Sequence, residues 1–325
     1  MSEIVFEDVR RASATLDKIA WITPIKTSAS LDTAAGATVF LKCENFQRTG
    51  AFKFRGAYNA LSTLPRIPSA TVTTISSGNH GQGLALAATL LGFSAHVIIP
   101  KPHTHLKYDR ILSQQARVTI AENRTQAEVL LSHVLREEGA HFVHPFNDPN
   151  VIAGQGTVML ELLEQVDNLD IVLAPVGGGG LLSGLCVAGH HLDPKLVIYA
   201  CEPLCAADAV ESLRQGKIVP MSNPDTMADG LRTSLGTLTF PILKQHVADV
   251  FLVSENEILA AMQFIHDQFQ FQIEPSSAVA LAPLLRQERR LTGKRVGVVL
   301  TGGNVGQFPG EDREISRNQD GLGAT

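Results

Sequence analysis

The chain has 325 residues, with 27 lysines and arginines against 32 aspartates and glutamates, a formal net charge of −5 at pH 7. Its apolar fraction of 44% is enough for a sizeable buried core in one or two domains. A pI near 6.1 gives no basic surface field. We therefore expect a globular protein that binds neither nucleic acid nor membranes.

The residues at both ends of the chain and the number of cysteines indicate where in the cell the protein is found. The N-terminal stretch carries Glu3, Glu7 and Asp8 where a secretory signal would carry lysines, and no apolar run approaches the roughly 18 residues needed to span a bilayer. Four cysteines are too few for a disulfide framework in a chain this long. We expect a cytoplasmic protein with reduced thiols, no additional regulatory domain and a mobile, polar tail at 307–325.

Short apolar segments alternate with helical patterns along the chain. Segments rich in β-branched residues predict strands at 71–75, 96–99, 118–121, 171–176, 197–200 and 296–300. Apolar residues at helical spacing predict helices at 84–91, 126–138, 156–165 and 255–269. This alternation indicates an α/β fold with open, mostly parallel sheets flanked by helices.

Glycine-containing loops follow three of the predicted strands, at 76–83, 177–180 and 301–306. In an open α/β sheet, ligands bind beyond the carboxyl ends of the strands, where these loops emerge. Four glycines at 177–180 open a helix and let the backbone N–H groups approach an anion, although a flexible turn is the alternative. Neither a dinucleotide fingerprint nor a nucleotide P-loop fits the glycine run, so a single phosphate is favoured.

A lysine in apolar surroundings indicates which phosphate-bearing molecule would bind. Lys53 stands between Phe52 and Phe54. An apolar setting lowers the pKa of a lysine and makes its amine nucleophilic towards carbonyl groups. Taken alone, such a lysine is more often a surface residue. Together with a site for one phosphate, it predicts pyridoxal phosphate (PLP) as cofactor.

These motifs resemble the fold-type II PLP-dependent enzymes of the tryptophan synthase β superfamily, in particular the serine/threonine dehydratases and serine racemases. The matching segments occur in family order, at 51–57, 76–82, 144–146, 153–157, 175–180, 201–203, 229–230, 274–275 and 301–304. The resemblance implies a two-lobed fold. If Lys53 and the glycine run meet around one cofactor, residues 1–65 and 145–325 form a large PLP-binding domain, and residues 66–144 form a small inserted domain carrying the substrate loop.

The resemblance also implies a role for each matching residue. Lys53 would form the Schiff base with the cofactor, Phe52 would pack on its ring and Asn79 would hydrogen-bond the ring hydroxyl. The remaining cofactor contacts would come from Gly177, Gly178, Gly179 and Gly180 at the phosphate and from Thr301 at the pyridine nitrogen. The residues expected to bind the carboxylate of an amino acid substrate are Ser76, Ser77, Gly78, Asn79 and His80.

A metal ion is a further expectation from the resemblance. Glu202, Asp208 and the backbone carbonyl of Ala206 match the family's ligand positions. Oxygen ligands of this kind suit Mg²⁺, Ca²⁺ or Mn²⁺. The alternative is a solvated acidic turn. The family also implies a homodimer, for which the sequence shows no interface signature.

The implied reaction is the elimination of water from a 3-hydroxy amino acid to give a 2-oxo acid and ammonia, with the freed Lys53 amine as general base. Ser77 matches the serine that the family's racemases place on the opposite face of the cofactor, so racemisation is an alternative. A non-catalytic phosphate or PLP binder is a second alternative.

The substrate is the least determined feature. Ala51 and Thr301 stand where serines are commoner in the family, and the loss of a hydroxyl at Ala51 favours an apolar or bulkier side chain. The whole chain resembles the bacterial phenylserine dehydratases, which implies L-threo-3-phenylserine as substrate and phenylpyruvate as product. Arg124 matches an arginine of the serine racemase and hydroxyaspartate dehydratase branch, where a second carboxylate would use it. Serine, threonine or threo-3-hydroxyaspartate dehydration with serine racemase activity is therefore the alternative.

Overall fold

The computed structural model describes residues 4–101, 105–222 and 224–305, and within 105–107 the backbone alone. The helices are α1 (Phe6–Leu16), α2 (Ala29–Ala35), α3 (Lys53–Ser62), α4 (Asn79–Leu91), α5 (His105–Leu112), α6 (Arg124–Glu138), α7 (Pro149–Gln165), α8 (Gly180–Leu192), α9 (Asp208–Gln215), α10 (Thr239–His246), α11 (Glu255–Phe269), α12 (Pro275–Ala278) and α13 (Ala282–Leu285). The strands are β1 (Ile25–Lys26), β2 (Thr38–Cys43), β3 (Thr71–Ile75), β4 (Ser94–Pro100), β5 (Arg117–Ala121), β6 (His141–Phe142), β7 (Ile171–Pro175), β8 (Val197–Pro203), β9 (Asp249–Val253) and β10 (Arg295–Leu300). The predicted mobile tail at 307–325 lies outside the described residues.

The strands form two sheets. The large sheet has six strands in the order β1-β2-β10-β7-β8-β9, and the small sheet has four in the order β5-β4-β3-β6. Apart from β1, which is antiparallel to β2, every pairing among the described strands is parallel. The predicted α/β class with mostly parallel sheets is confirmed. All four strands of the small sheet fall within 66–144, the segment predicted to form the small domain.

Helices cover the sheets, and the apolar core lies between them. On one side of the large sheet, buried residues of α11 to α13 pack against β2, β7 and β10. On the other side, α1, α7 and α8 pack against β7 and β8. The small sheet is packed mainly by α3 and α4. Strands buried on both faces explain why β10 reads as an uninterrupted apolar run, Val296 to Leu300.

Two predicted helices begin earlier than their apolar patterns. α4 starts at Asn79, not at residue 84, because the polar and glycine residues of its first turn carry no apolar stripe. α7 starts at Pro149, not at residue 156, since Asp148 caps it by accepting from the N–H groups of Asn150 and Val151 at 2.8 and 3.0 Å. The early start of α4 places Asn79 and His80 in a first helical turn. Within the described residues no helix is both long and apolar enough to cross a membrane.

Candidate active site

The segment that carries Lys53 is joined to the end of β10. Ala51 forms an isolated β-bridge with Gly302, and the Phe52 N–H donates to the Thr301 carbonyl at 3.1 Å. Helix α3 then starts at Lys53 itself. These contacts fix Lys53 at the carboxyl edge of the large sheet, where a ligand of a parallel α/β sheet binds.

The Lys53 amine is held in apolar surroundings. Its Nζ donates to the Pro145 carbonyl at 2.8 Å and lies 5.0 Å from the centre of the Phe52 ring. Burial lowers the pKa of Lys53 from 10.5 to about 8, because the ammonium form loses its hydration. A neutral, nucleophilic amine therefore forms at a lower pH than at an ordinary lysine.

A buried network of ion pairs joins α3 to Glu44 and to α7. The Arg55 guanidinium donates to both carboxylate oxygens of Glu44, each at 2.8 Å, and to those of Glu161 at 2.6 and 2.9 Å. Lys42 Nζ also donates to Glu161, at 2.6 Å. Two cations thus balance two carboxylates, and Arg55, Lys42 and Glu44 are at most 1% exposed. Removing one member would leave an uncompensated buried charge, which costs about 3–5 kcal/mol.

The glycine run contacts the segment that holds the lysine. A Cβ at Gly178 would lie 2.3 Å from the Phe146 ring, and one at Gly180 would lie 2.8 Å from Phe146 Cβ. Phe146 follows Pro145, the residue that accepts the Lys53 hydrogen bond. The structure therefore brings the glycine run and Lys53 to the same short segment, although more than 120 residues separate them in sequence.

The glycine run has the form of an anion site. Gly179 adopts a left-handed conformation with φ of +88°, and α8 begins at the next residue. The Thr239 hydroxyl donates to the Gly178 carbonyl at 2.7 Å, so that oxygen has a partner within the protein. The residues present fit a phosphate group, because no side chain could replace Gly178 without displacing Phe146 and because a 13-residue helix directs its N-terminal N–H groups to this point.

The predicted substrate loop forms the start of α4. Ser76 Oγ accepts from the N–H groups of Gly78 and Gly81 at 3.2 and 3.1 Å, so this hydroxyl shapes the turn. Gly78 is the N-cap and supplies no side-chain acceptor to the first turn. Ser77 lies half-buried in the same turn. A helix N-terminus beside two serines has the donors that a carboxylate requires.

Two histidines near the lysine are uncharged. Burial lowers the pKa of His80 to about 3, and its Nε2 lies 3.3 Å from the Val143 carbonyl. Burial likewise lowers the pKa of His144 to about 4, and its Nδ1 accepts from the N–H groups of Phe146 and Asn147 at 3.3 and 2.9 Å. Both imidazoles are therefore neutral near pH 7, which leaves Lys53 as the proton acceptor in this part of the site.

The residues predicted to contact the cofactor ring are held by polar neighbours. Asn79 Nδ2 donates to both carboxylate oxygens of Glu274, at 3.0 and 2.8 Å. The Thr301 hydroxyl pairs with Ser277 Oγ at 2.9 Å, and Ser277 also bonds the N–H and the carbonyl of Gly302 at 2.7 and 2.8 Å. Thr301 therefore offers a neutral hydroxyl, as the resemblance implies for the position facing the pyridine nitrogen.

The predicted metal ligands lie together between the carboxyl end of β8, which contains Glu202, and the start of α9. Glu202 accepts from the N–H groups of Ala209 and Val210 at 2.8 and 3.1 Å, and burial raises its pKa to about 8. Asp208, at the start of α9, has its pKa raised to about 7 by burial, and its Oδ1 is buried without a hydrogen-bond partner. This oxygen-rich pair fits a hard cation. Within the part of the chain that the structure describes, no group of three or more His, Cys, Asp or Glu side chains could hold a metal, so backbone oxygens would complete the set.

Sequence reasoning gave no role to several residues that shape the site. Glu274 and Asn304 occurred in matching motifs, and Ser277 and Thr239 carried no signal at all. Each acts through a contact with a residue far along the chain, for example Glu274 with Asn79. A polar residue with one distant partner leaves no local pattern, so the motifs were the sole available signal for Glu274 and Asn304.

The fold and the site together define an enzyme that holds a phosphate-bearing cofactor beside a nucleophilic lysine. The family described as "Pyridoxal-phosphate dependent enzyme" matches residues 16–302. The chain belongs to this family, and PLP is its cofactor. This confirms the fold-type II resemblance seen in the motifs.

Similar proteins include both racemases and lyases. A serine racemase of Dictyostelium discoideum is 41% identical over 311 residues, covering 94% of this chain and 96% of its own. A beta-hydroxyaspartate dehydratase of Paracoccus denitrificans is 44% identical over 302 residues, covering 92% of this chain and 96% of its own. Among solved structures, maize serine racemase superposes with a TM-score of 0.93 at 35% identity, covering 98% of this chain and 99% of that one. The family relationship therefore extends over nearly the whole length of these proteins.

Proposed function

We propose that this protein is an ammonia-lyase that eliminates water from a 3-hydroxy amino acid, releasing a 2-oxo acid and ammonia. The observation that carries the proposal is the buried Lys53 amine, with its lowered pKa, beside the glycine run and the start of α4. Relatives named as a hydroxyaspartate dehydratase and a hydroxyaspartate ammonia-lyase support this reaction class. Relatives named serine racemase support racemisation as an accompanying activity, with Ser77 as the acid on the second face.

Each element of the site has one task in this reaction. Bound PLP supplies the electron sink that stabilises negative charge at the substrate α-carbon. The N–H groups at the start of α4, with Ser76 and Ser77, orient the substrate carboxylate. The Lys53 amine takes the α-proton, and the adjacent neutral imidazoles do not compete for it. The hydroxyl leaves as water, because hydroxide is a poor leaving group, and it takes the proton that Lys53 removed from the α-carbon.

For the substrate we propose L-threo-3-phenylserine first. His144 and Phe146 stack edge to face at 4.6 Å next to the Lys53 amine, an arrangement that would suit an aryl side chain. Arg124 is 58% exposed and its Nε pairs with Glu128 on its own helix at 3.0 Å, so it is engaged away from a second carboxylate.

Threo-3-hydroxyaspartate is the second candidate, supported by one observation in addition to the relatives. Arg124 is near enough to His144 to lower its pKa further. A shift of the guanidinium from Glu128 would bring a cation to the side of the site that His144 lines. Serine and threonine, with smaller side chains, complete the alternative.

A panel of serine, threonine, threo-3-hydroxyaspartate and threo-3-phenylserine, each as both enantiomers, tests the proposal. We expect stoichiometric 2-oxo acid and ammonia from L-threo-3-phenylserine. Turnover of hydroxyaspartate with inert phenylserine would overturn the substrate assignment, and Arg124→Gln would then raise KM for hydroxyaspartate by about tenfold or more. No ammonia from any of the eight compounds would overturn the lyase proposal. Chiral analysis of residual serine measures racemisation in the same reactions.

We further propose that Glu202, Asp208 and the Ala206 carbonyl hold Mg²⁺, Ca²⁺ or Mn²⁺. Two buried carboxyl groups with raised pKa values and one unpartnered buried oxygen support this site. A cation would stabilise the ionised form of both groups. We also propose a homodimer, as the resemblance implies, and a cytoplasmic location, as expected from the sequence.

A further inference from the structure

One side chain connects the helices of the small sheet to the end of the large sheet. Arg110, on α5, is half-buried and its guanidinium donates to the Asn304 side-chain oxygen. Asn304 follows β10 and is 5% exposed. None of the sequence motifs contains Arg110, and 194 residues separate it from Asn304. This Arg110–Asn304 contact therefore links the two sheets directly at the site.

Arg110 holds the oxygen end of the Asn304 amide. A guanidinium can donate but cannot accept, so the oxygen of Asn304 must face Arg110 and its NH₂ must face the other way. That NH₂ donates to the Thr49 carbonyl at 2.7 Å and to Asn79 Oδ1 at 2.8 Å. The Thr49 carbonyl can only accept, so it favours the same orientation, and Arg110 and Thr49 hold the amide from its two ends.

The orientation of the Asn79 amide is likewise set by hydrogen bonds at both of its ends. Its oxygen accepts from Asn304, and its NH₂ faces the Glu274 carboxylate, which can accept but cannot donate when ionised. The result is a row of donors running from a cation, Arg110, through two amides to an anion, Glu274. Hydrogen bonds in such a row polarise and strengthen one another. Removing the cation weakens every member of the row.

The Asn304 amide also supports the turn before Lys53. Thr49 and Gly50 both have positive φ, of 61° and 71°. A Cβ at Gly50 would lie 2.4 Å from Asn304 Oδ1, so the amide packs directly on this turn while its NH₂ holds the Thr49 carbonyl. Lys53 follows three residues later. One amide therefore contacts both segments that carry predicted cofactor residues, Asn79 and Lys53.

We propose that Arg110 is a positioning residue that joins the small sheet to the large sheet and, through Asn304, orients Asn79 and the Lys53 turn for the cofactor. The inference rests on Asn79 contacting the cofactor, and it is independent of which amino acid is the substrate. A relative with no cation at this position would have to orient the Asn304 amide by other means.

The test compares Arg110→Met, which keeps the length and removes the charge, with Arg110→Lys, which keeps a cationic donor. The matched control is Arg117→Met on β5, where the guanidinium is 55% exposed and pairs with Glu138 away from the site. PLP affinity of the apoprotein is measured by titration, and backbone hydrogen exchange is followed at α5 and at residues 49–50. Neither measurement involves a substrate. Both therefore test the role of Arg110 even if no substrate is found that releases ammonia.

We expect Arg110→Met to bind PLP about tenfold or more weakly and to exchange faster at both segments, because a charge-assisted hydrogen bond is lost. Arg110→Lys should lose less, and Arg117→Met should match the wild type. If Arg110→Met instead binds PLP with wild-type affinity and exchanges at wild-type rates, Arg110 is a surface contact and the proposal is wrong. If Arg110→Met unfolds, Arg110→Ala, which also removes the cationic donor, decides: a folded Arg110→Ala protein that binds PLP more weakly than the wild type supports the proposal, and one that binds PLP with wild-type affinity overturns it.

Discussion

The chemistry of the site depends on how far the pKa of one amine is lowered. Lys53 has a carbonyl oxygen as its hydrogen-bond acceptor and an aromatic ring beside it, and burial lowers its pKa to about 8. A carboxylate at hydrogen-bond distance would have raised the pKa instead. The Pro145 carbonyl can orient the amine without stabilising the ammonium form as strongly as an ion pair would.

The first prediction concerns the pH dependence of cofactor attachment. The neutral form of an amine attacks an aldehyde, and a lysine whose pKa is lowered becomes neutral above the lowered value. The rate at which the apoprotein acquires the visible absorbance of bound PLP should therefore rise as pH passes through about 8, well below the ordinary lysine pKa of 10.5.

Stopped-flow absorbance over a pH series measures this rate. A small-molecule primary amine with PLP under the same conditions serves as the control, and its rate should continue to rise towards the ordinary amine pKa. A protein profile that follows the control, with no inflection near 8, would contradict the apolar environment assigned to Lys53.

The sequence predicted those residues whose chemistry is visible locally. A lysine between two phenylalanines and a run of four glycines are both unusual, so Lys53 and the glycine run could be recognised. Arg110 and Ser277 could not, because their side-chain contacts are with residues 24 or more positions away along the chain. Pairing between distant polar side chains is determined by the fold and leaves no periodic pattern.

At the level of the elements, strand β2 was not predicted from the sequence, although it lies inside the large sheet. Thr38–Cys43 contains Lys42, and a charged residue interrupts the apolar pattern that revealed the other central strands. Lys42 is nevertheless fully buried, because it reaches Glu161 on α7 and the Thr23 carbonyl. β9 (Asp249–Val253) was also not predicted, although its last four residues are apolar. The predicted strands β3 and β10 contain longer runs of apolar or β-branched residues.

The second prediction tests the paired carboxyl groups at the β8–α9 connection. Adding Mg²⁺, Ca²⁺ or Mn²⁺ should raise the thermal unfolding temperature, since a ligand that binds the folded state alone stabilises it by mass action. Removing the cation with a chelator should reverse the increase. Differential scanning fluorimetry across a cation series measures both effects.

Isosteric variants on one helix provide the controls. Asp208→Asn should abolish the cation-dependent shift, because it removes the charge at the unpartnered oxygen. Glu211→Gln, on the same helix but exposed and paired with Arg214, should keep it. A shift that persists in Asp208→Asn, or its absence in the wild type with all three cations, would count against this site and favour the acidic-turn alternative.

On the scale of the whole molecule, the site combines parts that are distant along the chain. The chain leaves the large sheet after β2, builds the small sheet, and returns at β7, so Lys53 precedes this excursion and the glycine run follows it. Parallel strands place their carboxyl ends along one edge of each sheet. The hydrogen bond from Asn304 to Asn79 at 2.8 Å then joins the loop of the large sheet to that of the small sheet. Sequence order alone could predict an inserted segment, but not which side chains, such as Arg110, would cross between the sheets.

The central claim is that Lys53 and the glycine run form one PLP site, and covalent mapping tests it most directly. The holoprotein is reduced with borohydride, digested and analysed by peptide mass spectrometry. We predict a pyridoxyl group on the peptide containing Lys53 and its absence from the Lys53→Ala variant. A pyridoxyl group on a different lysine, or a protein that acquires none when incubated with PLP, would contradict the account.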